Sequence, residues 1–234
     1  LQSLDLSVNK VESLPENIFD KLSALMQLDL YQNKLVSLPA GIFDKLPALR
    51  ALDLDKNNLK ALPAGIFDEL SALGALHLRH NKLVALRAGT FDKLSALSLL
   101  ELTGNRFKTL PEGIFDKLAA LQLLCLYSNQ LASLPVSTFD KLLVLKDLRI
   151  GHNNKAVSWF HCQPASSTSC RPLCGSISKL SALQRLNPPE GFFDEEDSPD
   201  DRRVLTSSIS CGETRIYFSR SGGSTIAGSC SALR

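Results

Sequence analysis

Asp53, Asp55 and His77 have the residue types and spacing to meet around a divalent ion. The two acids stand two apart, and His77 follows Asp53 by 24 residues. Carboxylate and imidazole together suit several such metals. Arg79 follows Asp55 by the same interval, however, and a fixed positive charge there opposes an ion, so no metal is expected. Cys125 and His77 would make a thiolate–imidazole pair only if they touched. They lie two intervals apart, roughly 10 Å if each interval is one strand, which is too far for proton transfer. No GxSxG, P-loop or HExxH sequence occurs. The chain is therefore read as a non-enzyme that needs no cofactor.

The interval of 24 is the organising feature of the chain. Leu1, Leu25, Leu49, Leu73, Leu97, Leu121 and Leu145 each open a copy of LxxLxLxxNxLxxLPxGxFDKLxxL, and Asn9, Asn33, Asn57, Asn81, Asn105, Asn129 and Asn153 never miss. Alternation in ALDLD turns Leu52 and Leu54 inward and Ala51, Asp53 and Asp55 outward, as a strand with one buried face requires. Stacked Asn side chains, each both donor and acceptor, can pair the backbone groups of the turn that follows. Leu62-Pro63 sets an extended return, Phe67 sends its ring to the core, and Asp68 stands where a short helical turn favours an acid. One copy cannot bury its own leucines, whereas stacked copies can. This period and wording are those of leucine-rich repeats. The expected fold is an α/β solenoid, a horseshoe with a parallel sheet on its concave face. Residues 1–154 form the solenoid, with six repeats and a seventh strand, and 155–234 form a cap. Six gaps of about 4.8 Å give a concave face on the order of 30 Å long. The chain opens in mid-repeat, so the first strand is expected to have an uncovered edge.

Five of the six cysteines (Cys162, Cys170, Cys174, Cys211 and Cys230) fall in the last 73 residues. Such clustering indicates a disulfide-stapled cap made in an oxidising, extracellular compartment. At least two bridges are expected, among Cys174, Cys211 and Cys230 with Cys162 or Cys170; Cys125 is expected as a free thiol at an exposed strand position. Trp159 and Phe160 suit a lid on the last leucine layer. Ser176 can cap a helix carrying Ile177, Leu180, Leu183 and Leu186, although KLSALQRL also matches KLSALSLL at 93–100 and would make a degenerate repeat. The helix is the expectation. An acidic loop with seven Asp or Glu between Glu190 and Asp201 follows, then a β-prone stretch from Ser207 to Arg220. A net charge of +2 excludes a whole-chain field for nucleic acid or an anionic membrane, and no stretch is apolar enough to span a bilayer. No N-x-Ser/Thr sequon occurs.

Inward positions and the FDKL turn barely change between copies, whereas outward strand positions change in almost every one. The central column reads Asp5, Asp29, Asp53, His77, Glu101, Cys125, Arg149, and two residues on it reads Ser7, Tyr31, Asp55, Arg79, Thr103, Tyr127, Gly151. The FDKL turn is also exposed and has not drifted, so the varying face reads as a binding surface.

The words LPAGIFDKLPAL, LPEGIFDKLAAL and LDLYQNKLVSLP closely resemble the repeats of variable lymphocyte receptors, the leucine-rich-repeat antigen receptors of jawless vertebrates. The resemblance covers residues 1–153. Slit-like, platelet-glycoprotein and Toll-like ectodomains share the repeat but match FDKL less well. The tail departs from the family, with five cysteines for four and no Trp-x-Cys-x-Cys entry. The resemblance implies an extracellular receptor that binds protein or glycan antigen on its concave face; a cell-adhesion or matrix module binding a host protein is the alternative. Asp5, Asp29, Asp53, Asp55 and Glu101 would then be an acidic strip for a microbial surface polymer bearing amines or hydroxyls. Tyr31 and Tyr127 offer flat faces, His77 a pH response, and Arg79 and Arg149 complete the surface. On this reading the strip's like charges repel until ligand binds, and neutralising Asp29, Asp53, Asp55 and Glu101 leaves stability unchanged.

Overall fold

The computed structural model describes residues 1–135, 137–153 and 183 and the strands 185–187, 215–219 and 225–229. Seven strands recur at the repeat interval: β1 Ser3–Asp5, β2 Gln27–Asp29, β3 Ala51–Asp53, β4 Ala75–His77, β5 Leu99–Glu101, β6 Leu123–Cys125 and β7 Asp147–Arg149. They pair in parallel and in sequence order, with each residue opposite the one 24 further on. Leucines fill the coil behind them: Leu52, Leu54, Leu76 and Leu78 have no solvent exposure. Behind these, Phe67, Phe91 and Phe115 stack ring on ring with centroids 6.3 and 6.4 Å apart.

The asparagine ladder is the second line of cohesion. Asn57 Nδ2 donates to Leu30 O (2.9 Å) in the preceding repeat and to Leu54 O (3.2 Å) in its own, while its Oδ1 accepts from Leu35 N (3.1 Å). Asn33, Asn81, Asn105, Asn129 and Asn153 likewise donate back across a repeat. The residue before each Asn is left-handed, as at Lys56 and His80 (both φ 51°), because the chain turns sharply off the strand there. Gly104 fills that place once, and a Cβ on it would lie 2.5 Å from His80 Nδ1.

Three expectations are corrected. No helix occurs among the described residues, so the α component of the expected class is missing there. The convex return is instead a chain of tight turns, such as Asp68 N to Gly65 O, Leu70 N to Phe67 O and Leu73 N to Leu70 O. Each bond spans three residues, and a 24-residue copy leaves little chain for a helix after the strand and Asn turn.

The second correction is the cap helix. Arg185–Asn187 is a strand, β8, which extends the sheet beside β7 with Leu148 opposite Leu186. Leu183 packs on the core. Leu183 and Leu186 repeat the spacing of Leu145 and Leu148, so the degenerate repeat prevails at these two positions. The free edge of β7 offers that segment a ladder of hydrogen bonds. Ile177 and Leu180 lie outside the described residues.

The third is Asp55, which was expected outward and is only 1% exposed. The β-prone stretch does contain a strand, β9 Arg215–Ser219, which pairs antiparallel with β10 Thr225–Ser229. The five tail cysteines, Trp159, Phe160 and the loop from Asp194 to Asp201 lie outside the described residues, as does the rest of the cap apart from these strands and Leu183.

Candidate functional site

The outward residues of the seven strands form one continuous face, and β-pairing sets its columns. Asp5, Asp29 and Asp53 are direct cross-strand neighbours, followed in register by His77, Glu101, Cys125 and Arg149. The three like charges do not stand uncompensated. Asp5 Oδ1 accepts from Ser7 N, Asp29 Oδ1 from Tyr31 N and Asp53 Oδ1 from Asp55 N, each at 2.8 Å. The bond to Ser7 holds the Asp5 carboxyl below its ordinary value. Burial pushes Asp53 up, against the pull of the Asp55 N–H.

At the centre the face is cross-linked. Arg79 Nε donates to Asp55 Oδ2 (2.6 Å) and lies 2.8 Å from Glu101 Oε2, and the Arg79 backbone N–H also reaches Asp55 Oδ1. His77 Nδ1 is 3.1 Å from the same Glu101 oxygen. Asp55 is thus a buried tie between β3 and the chain just past β4, and the expectation that neutralising it leaves stability unchanged is corrected. A carboxylate buried against a guanidinium cannot be swapped without cost.

One potential ligand atom from each of Asp53, Asp55 and His77 lies within 4.8 Å of the other two, so the sequence brought the right trio together. Both Asp55 oxygens already accept from Arg79, Oδ1 from its backbone N–H and Oδ2 from its guanidinium Nε. The arrangement is that of a closed ion-pair network.

Cys125 was expected at an exposed position and is 3% exposed. It is a free thiol, and burial pushes it up to about 12, so it is no nucleophile near neutrality. Arg149 turns back on its own strand, with Nη2 2.7 Å from Asp147 Oδ2. The two tyrosines are half-buried and partnered: Lys56 Nζ sits 5.1 Å from the Tyr31 ring centroid, and the Tyr127 and His152 rings lie 4.6 Å apart. Sequence reasoning missed both partners. Their signal is the left-handed residue 25 positions after each Tyr, which the turn directs back over the previous strand.

A pH prediction follows from the central pair. His77 is raised above its ordinary 6.5, chiefly by the bond to Glu101, and Glu101 is lowered from 4.5, chiefly by the bond to His77. The His77 contribution is therefore complete below 6.5 and lost as pH rises through the raised folded value. The Glu101 contribution is present above 4.5 and lost as pH falls through its depressed folded value. The unfolding free energy from denaturant titration should fall by on the order of 1 kcal/mol between about pH 6 and pH 9. His77→Gln should flatten that limb, and an unchanged limb would locate the titration elsewhere.

Leucine-rich-repeat models match residues 1–59, 48–107, 71–131 and 96–155, well over half of the sequence. The chain belongs to the leucine-rich-repeat family. No curated protein matches this leucine-rich-repeat chain by sequence. Among solved structures it is similar to TLR13 in the TLR13–ssRNA13 complex, at 28% identity and a TM-score of 0.58 over 80% of this chain. It shares its fold with a chain of the LRIM1/APL1C complex, at 19% identity and TM-score 0.61, again over 80%. A Leptospira interrogans leucine-rich-repeat protein, LIC12759, matches at 26% identity over 80% of this chain, with a TM-score of 0.49. The chain spans 29%, 32% and 54% of these three chains respectively.

Proposed function

We propose that this leucine-rich-repeat chain is an extracellular recognition module of the immune type, allied to the variable lymphocyte receptors. It would hold a protein or glycan antigen on a microbial surface against its concave face. The observation that carries this reading is the contrast between scaffold and face. The leucine layers, the Asn ladder and the FDKL turns repeat almost unchanged, while the in-register column from Asp5 to Arg149 changes chemistry at most rungs. Likeness to TLR13 and to the LRIM1/APL1C fold supports a recognition scaffold. TLR13 is bound to ssRNA in its complex; here, Asp5, Asp29 and Asp53 along one end of the face oppose a polyanion, and a protein or a hydroxyl- or amine-bearing polymer fits better.

Asp5 is exposed and Asp29, Asp53, Tyr31 and Tyr127 are half-buried on this face, with the buried Asp55 holding its floor. The experiment is a screen of intact bacteria and glycans beside host matrix proteins, followed by Asp29→Asn with Asp53→Asn. Asn retains the oxygen that accepts from Tyr31 N and Asp55 N, so the melting curve should stay in place while binding falls roughly tenfold or more and loses its salt dependence. Retained binding in this variant would move the site off the acidic end. Capture of a host matrix protein in place of a microbial ligand would replace the immune reading with an adhesion module.

A further inference from the structure

A second charged surface lies on the flank where the chain leaves each strand. Residues 32–39, 56–63, 80–87 and 104–111 are the same segment of four successive repeats, and together they hold seven Lys or Arg and no Asp or Glu. The buried Leu35, Leu59, Leu83 and Phe107 point inward, so the residues on either side of each point out. Those outward places carry Lys34, Lys60, Lys82, Arg106 and Lys108, at least one cation on every rung. All but the half-buried Lys82 are exposed. No carboxylate among the described residues is an ion-pair partner of these five.

The display is rigid. The backbone N–H groups of Lys34, Asn58, Lys82 and Arg106 donate to the carbonyls of Val11, Leu35, Leu59 and Leu83 at 2.8–2.9 Å, each across one repeat. Cations therefore recur along the solenoid axis at roughly the strand spacing of about 4.8 Å. The convex side differs: in Asp44-Lys45, Asp92-Lys93 and Asp116-Lys117 each cation adjoins an acid. A net charge of +2 conceals this separation of an acidic face from a basic flank.

We propose that this flank binds a linear sulfated polysaccharide laid across the repeats, at a site separate from the concave face. A fixed row of cations attracts any polyanion, and what chooses among polyanions is the chemistry between the charges. Single-stranded nucleic acid is held by bases stacked on aromatic rings. Phe107, the one Phe, Tyr or Trp in these four segments, is fully buried, and the Tyr31 ring is covered by Lys56. Ser37, Asn58 and Thr109 supply hydroxyl and amide groups between the cations, which suit sulfate and sugar hydroxyls.

Heparin is the probe. The full chain should bind heparin with an affinity that falls steeply with salt. A variant with Lys60→Gln, Lys82→Gln, Arg106→Gln and Lys108→Gln should bind roughly tenfold or more weakly at about 0.15 M salt. A control with Lys21→Gln, Lys45→Gln, Lys93→Gln and Lys117→Gln removes the same charge from the convex turns and should bind as the parent does. Equal loss in both variants would reduce the effect to net charge and overturn the site. Tighter binding of a single-stranded oligonucleotide of matched charge would overturn the polysaccharide assignment. The Asp29→Asn, Asp53→Asn variant should keep full heparin affinity, which separates this test from that of the concave face.

Discussion

Phe67→Ala is expected to destabilise the chain by about 3–5 kcal/mol, with a matching fall in the thermal midpoint. The ring has no exposure and stacks 6.3 Å from Phe91, itself stacked 6.4 Å from Phe115. Ile66 and Leu70 around it are buried and held by turns bonded to their own neighbours, so they have little freedom to collapse into the space. The cost is the transfer term for a large apolar side chain plus the cavity left behind. A Phe67→Leu variant refills most of the volume and should recover over half of the loss. Differential scanning calorimetry of the three proteins is the measurement. A midpoint for Phe67→Ala within error of the parent would remove the Phe stack from the core's main supports.

The solenoid was legible in the sequence because its causes are local and repeated. The Leu alternation, the Asn turn and the Phe return each recur at 24 residues, and every rung from β1 to β7 obeys that register. Reading failed where one copy departs from the pattern. Asp55 occupies an outward position, yet Arg79 on the next copy closes over it, and a single acid–base pair leaves no periodic mark. Cys125 shares its column with charged residues, and nothing in the letters marks a thiol at that outward position as buried. At Leu183 and Leu186 two spacings were compatible with the letters, and the unpaired edge of β7 decided between them. The basic flank was hidden for another reason. Its cations are balanced in the total by the concave acids, and only the coil's geometry puts the two on different faces.

Asn57→Leu is expected to cost about 3–5 kcal/mol although it replaces a polar residue with an apolar one of similar size. Leu35 N loses the Asn57 Oδ1 acceptor, and as a buried donor it then carries a desolvation penalty of about 1–3 kcal/mol. The bonds to Leu30 O and Leu54 O go as well, at about 1 kcal/mol each, since those carbonyls keep only the amides of Asn33 and Asn81. Asn9→Leu is the matched control. Asn9 is exposed and donates only to Leu6 O and Ser7 O within its own repeat, so its loss should cost under about 1 kcal/mol. Chemical denaturation gives both values, and amide exchange at Leu35 should accelerate in the Asn57 variant alone. If both substitutions cost the same, the asparagines serve only their own turns. Cohesion between repeats would then rest on the leucine layers and the strand ladder. A larger loss at Asn57 assigns part of that cohesion to side-chain amides, each of which ties one coil to the coil before it.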